Sequence, residues 1–137
     1  MKVPTLLLVA CLAACAPTSP RPSCAAFHAS AAWQIDLFFG LSRPDGTVID
    51  KAAWMSFVRN VIAPAFPDGF TITDTQGQWQ DRHTHRIILE PSEVVRIVTA
   101  PSPQVMQHVD TIRARYRHDF QQQAVGLVTT PACATFD

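Results

Sequence analysis

Strand-like and helix-like periodicities follow one another along this chain in an order that few small folds accommodate. Trp33, Ile35, Leu37 and Phe39 share one face of an alternating stretch. Turn residues follow at Arg43-Pro44-Asp45-Gly46, and Asp50 stands where a helix needs a cap. The helix stripe is Trp54, Phe57, Val58, Val61 and Ile62, with Pro64 expected to end it. After the turn Phe66-Pro67-Asp68-Gly69, residues Phe70 to Trp79 read as a threonine-rich strand with Gly77 as a bulge or weak point. A polar loop at 81–85 leads into Ile87-Ile88-Leu89, a short extended arm, and then a third strand from Val94 to Ala100. Ser102 and Pro103 open a second helix, striped by Val105, Val109, Ile112, Tyr116 and Phe120. Arg113, Arg115, Arg117 and His118 favour the negative end of its dipole, and Val125 to Thr129 form the last strand. The order β-α-β-β-α-β predicts an α+β, ferredoxin-like sandwich, a four-stranded antiparallel or mixed sheet with two helices on one face.

In that topology the first and last strands are antiparallel neighbours. Cys24 precedes the one and Cys133 follows the other, so the fold brings them together. In an oxidising compartment such a pair is expected to form a disulfide rather than a metal site.

The N-terminal stretch supplies that compartment. Lys2 precedes an uncharged apolar run from Val3 to Ala14. A membrane span needs about 20 residues and a signal-peptide core about 7–15, so this run is a targeting segment. Leu12-Ala13-Ala14-Cys15 resembles a bacterial lipobox, in which the cysteine takes diacylglycerol and becomes the N-terminus. Residues 1–14 are thus expected as a lipoprotein signal peptide and 15–30 as lipid anchor and proline-rich tether. Residues 31–137 are expected as the single domain. The chain lives in the bacterial envelope, its membrane partner reached through the lipid. Ala16, where aspartate would signal inner-membrane retention, favours the outer membrane facing the periplasm. With 11 basic and 11 acidic residues, no basic field exists to hold nucleic acid.

Candidate chemistry is sparse. Gly40-Leu41-Ser42-Arg43-Pro44 begins like a nucleophile elbow but lacks its final glycine. His83 and His85 fall short of the three or four ligands zinc wants. Glu90 and Glu93 flank Pro91-Ser92; Glu90 is expected to end the arm, Glu93 to start a strand, and Ser92 to hold the turn. No phosphate loop, HExxH, CxxC or dinucleotide fingerprint is present, so neither catalytic residue, cofactor nor metal is assigned. The expected function is a non-catalytic binding or interaction domain. The alternative is a small hydrolase-like or other enzyme acting from the loops around Ser42, Arg43, Asp45 and Glu90. Alternation sends Asp36, Phe38, Val94, Arg96 and Val98 to the sheet face without helices, where Asp36 and Arg96 can pair. That face is the candidate binding surface, for a second copy or another protein, unless the terminal lead or the 80–90 arm folds back across it.

A family resemblance accompanies this reading. Leu37-Phe38-Phe39-Gly40-Leu41-Ser42, Pro44-Asp45-Gly46, Trp54, Phe66-Pro67-Asp68-Gly69, Gly77-Gln78-Trp79 and Glu90-Pro91-Ser92 occur in order, followed by Tyr116, Phe120 and Cys133. Together they resemble an uncharacterised bacterial family of secreted proteins, the domain of unknown function DUF3574. The resemblance covers nearly all of the mature chain and implies no mechanism. Phe38 departs from it, since relatives often carry tyrosine there.

Overall fold

The computed structural model describes residues 23–136, so the signal peptide, Cys15 and the tether up to residue 22 lie outside the described residues. Described elements reach into residues 24–30, within the segment expected as tether. A short 3-10 turn occupies Cys24–Phe27, and strand β1 spans Ser30–Gly40. Alternation along β1 buries Ile35, Leu37 and Phe39 completely on one face.

Helix α1 opens at Lys51–Phe57, capped by Asp50, whose carboxylate accepts from the Ala53 N–H at 2.8 Å. It does not stop at Pro64. A π-helical segment, Val58–Ile62, leads into a last turn, Ala63–Ala65, that contains the proline. Proline has no N–H and its ring crowds the carbonyl four residues back. Wider i→i−5 bonding, as from the Ala63 N–H to Val58 O, lets the helix absorb it.

Strand β2 is Thr71–Gln80, and its partner β3 is Ile87–Thr99, one strand of 13 residues. The expected break between arm and third strand is absent, and so are the turn at Ser92 and the bulge at Gly77. Pairing runs without interruption from Thr71 opposite Arg96 to Gln80 opposite Ile87. Pro91 is tolerated because a strand residue's N–H and C=O point to the same side. Its carbonyl accepts from Leu41 N just beyond Gly40, where β1 has ended, so the missing donor breaks no ladder bond.

Helix α2, Pro103–Asp119, is capped by Ser102, and strand β4 runs Gly126–Ala134. The sheet order is β2-β3-β1-β4 with every neighbouring pair antiparallel, as a ferredoxin-like sandwich requires. Val95 and Ile97 of β3 join the buried side chains of β1 in one core with Trp54, Phe57 and Ile62 of α1 and Val109, Ile112 and Tyr116 of α2. Both helices therefore cover the same face. Ala31 pairs with Cys133 in the β1–β4 ladder, and Cys24 is disulfide-bonded to Cys133 with 5.2 Å between Cα atoms.

Candidate functional site

Ser42 and Glu90 organise the end of the sheet where β1 runs out. Glu90 is 4% exposed, and its Oε2 accepts from the Ser42 N–H at 2.9 Å. Gln122 donates to the Ser42 carbonyl at 2.8 Å, and the Tyr116 hydroxyl donates to the Gly40 carbonyl at 2.8 Å. Burial, with the Glu90 charge adding to it, pushes the Tyr116 phenol well above its ordinary value, so it stays a donor at any physiological pH. Three side chains from distant parts of the chain thus clamp the exit from β1.

Close approach dictates the glycines here. A Cβ on Gly40 would run into the Glu90 carboxylate, and one on Gly77 would meet Ser92 Oγ at 2.6 Å. Their absence hollows the helix-free face. The hairpin between β2 and β3 then reaches over the hollow. Gln123, in the loop before β4, donates to Asp81 Oδ2 at 2.6 Å and accepts from the Arg82 N–H at 3.4 Å. The hairpin tip crosses the end of β1 to make these bonds, because β1 lies between β3 and β4. The result is a groove of about 610 Å³, floored by Phe38, Gly40, Ser92 and Val94 and walled by Trp79 and Gln122.

The five residues of the expected binding face do share the open side, but the groove takes only part of them. Phe38 pairs with Val94 and lines the groove, still 43% exposed. Asp36 pairs with Arg96 in register and accepts from its Nε and Nη2 at 2.8 and 2.9 Å. These hydrogen bonds hold the Asp36 carboxyl below its ordinary range. Val98 lies farther along, half-buried opposite Gln34. The arm borders the groove at the Phe38 end of the face and leaves Phe38 exposed.

Of the loop residues in the enzyme reading, only Glu90 reaches the groove floor. Asp45 accepts from the Thr47 N–H and hydroxyl, and Arg43 donates to Thr47 and to the Val48 carbonyl, so both build their own turn. Ser42 takes part through its backbone; no hydrogen bond involves its hydroxyl among the described residues. Asp81 accepts from the His83 and Thr84 N–H groups and the Thr84 hydroxyl; these bonds, that of the Thr84 N–H foremost, lower its carboxyl to about 2. Among the described residues no group of three or more His, Cys, Asp and Glu side chains gathers as a metal site.

Glu93 lies on the opposite, helix-side face, across from Phe39 and Asp74. Burial first, and then hydrogen bonding and repulsion from Asp74, raise its carboxyl to about 7, with Lys51 opposing. The folded chain therefore holds a proton there that the unfolded chain releases near 4.5. Stability from this group is complete below about 4.5 and is lost as pH rises through about 7. Between pH 5 and pH 8 the wild type should lose several degrees of melting temperature that Glu93→Gln retains. Parallel melting curves for the two proteins would contradict this.

The groove escaped detection in the sequence because its floor depends on which residues lie opposite one another across three strands. Gly40, Gly77 and Glu90 stand out in the sequence as part of an elbow-like motif, a possible bulge and one of two carboxylates flanking Pro91-Ser92, and none of those readings places them together.

A family model described as "Protein of unknown function (DUF3574)" matches residues 34–136. No curated protein matches the chain. Among solved structures, a phage SAM lyase in complex with S-methyl-5′-thioadenosine superposes with a TM-score of 0.62 at 14% identity. The match covers 77% of this chain and 90% of that one. A phage SAM lyase in its apo state gives a TM-score of 0.52 at 16% identity, covering 88% and 99%. At these identities the likeness is one of fold.

Proposed function

Since this chain belongs to the DUF3574 family, whose description names no activity, we propose a function from the groove itself: a lipid-anchored envelope protein that binds a small molecule on the open face of its sheet. The observation that carries the binding part is a 4%-exposed carboxylate, Glu90, at the base of a groove of about 610 Å³ with an aromatic floor and wall. A fold solved with S-methyl-5′-thioadenosine bound is consistent with a small occupant. The anchor part rests on the lipobox at Leu12 to Cys15 and on an oxidised cysteine pair, both suited to an export compartment.

Two readouts test the proposal. A fragment set of mixed charge, followed by amide shifts on the 15N-labelled domain, should move Gly40, Ser42, Ser92 and the Trp79 indole, and Phe38→Glu should abolish those shifts. Shifts that cluster elsewhere, or none, would refute the groove as a site. In cells, Cys15→Ala should move the protein from the membrane to the soluble fraction; a wild-type N-terminus found unmodified at another residue would refute the anchor.

A further inference from the structure

We infer that the occupant of the groove is an amine whose protonated nitrogen pairs with Glu90 Oε1, an assignment that rests on the groove being a binding site. A carboxylate taken out of water needs either a cation or several donors to offset the lost hydration. Glu90 has one donor, the Ser42 N–H, and it serves Oε2. No hydrogen bond reaches Oε1 among the described residues, that atom is not fully buried, and Glu90 lines the groove. Nor does an ion pair reach Glu90 there; the arginines in ion pairs are Arg96, Arg113 and Arg115, each with an aspartate.

The other two buried carboxylates meet the same need in other ways. Asp36 has the two-pronged Arg96. Glu93 keeps its proton to about pH 7 beside Asp74. Glu90 alone of the three combines burial with an open acceptor that faces a groove.

What surrounds Oε1 fits an organic cation. Phe38 and Trp79 offer aromatic surface for the carbon body next to the charge. Gln122 and Gln123 add neutral polar groups that neither repel a cation nor compete with it as one. Among the described residues lining the groove the one cationic side chain is Arg82, which stands on the exposed hairpin tip, where water and salt screen it.

The test uses three probes of one shape: 2-phenylethylamine, 2-phenylethanol and phenylacetate, titrated to millimolar concentration into the disulfide-bonded domain. Amide shifts at Gly40 and Ser42 and the Trp79 indole signal are the readout. The amine should bind at least about tenfold more tightly than the alcohol, with the acid weakest. Glu90→Gln should erase the difference between amine and alcohol. Equal binding of amine and alcohol within the groove overturns the cation assignment and leaves the groove standing as a site. An amine preference that survives Glu90→Gln also overturns it. Silence from all three probes overturns the assignment together with the binding site beneath it. The comparison of the three probes on the wild type decides the matter even if the variant fails to fold.

Discussion

Replacing both Cys24 and Cys133 by serine should cost about 4–5 kcal/mol, the unfolded-chain entropy released when a loop of 109 residues opens. The melting temperature should fall by more than about 10 °C. The bond ties the 3-10 turn at Cys24–Phe27 to the last strand, at one edge of the sheet. Its loss therefore leaves the central β1–β3 pairing and the core intact while freeing the unfolded chain. Wild-type protein treated with reductant should melt with the double variant, and the variant should ignore reductant. A wild type indifferent to reductant would show that the bridge contributes nothing.

The second large effect is expected at Phe39. Its ring lies 4.7 Å from Tyr116, 5.1 Å from Trp54 and 6.3 Å from Phe57, centroid to centroid. Among the described residues it is the strand aromatic whose ring meets rings of both helices. Phe39→Ala should cost about 3–5 kcal/mol, transfer and cavity terms together. Its neighbour Phe38 faces the groove, and Phe38→Ala should cost under about 1 kcal/mol. Equilibrium denaturation in oxidising buffer measures both. Equal losses would mean that the alternation of faces along β1 has been misassigned.

The pair illustrates what sequence periodicity reveals. Trp33, Ile35, Leu37 and Phe39 declare a face by spacing alone, and so do Val105, Val109, Ile112, Tyr116 and Phe120; all but Trp33 proved buried, and Trp33 packs against the core. Two adjacent helix stripes and one strand face are enough to predict this sandwich. Pro91 misleads because its meaning depends on a neighbour. Next to a continuing β1 it would break a ladder; next to the end of β1 it breaks nothing. Pro64 is the same problem in a helix, resolved by π bonding that no local propensity announces. Glu90 is harder still. In the sequence it is one of two carboxylates flanking Pro-Ser, whereas in three dimensions it lies over a glycine of another strand and Glu93 points into the opposite layer.

The direction in which β1 runs bears on how the protein is held. The chain enters the domain beside Ser30, and the groove opens at Gly40, ten residues on and roughly 34 Å away at the rise of an extended strand. Cys24–Cys133 rivets the entry pole to β4. Any pull on the N-terminal side of residue 23 is thus taken up at one pole by a covalent bond and passed along the β1–β4 ladder as shear. In the lipid-anchored arrangement proposed above, the groove lies toward the end of the domain away from the anchor, as a cup does on the far end of its handle.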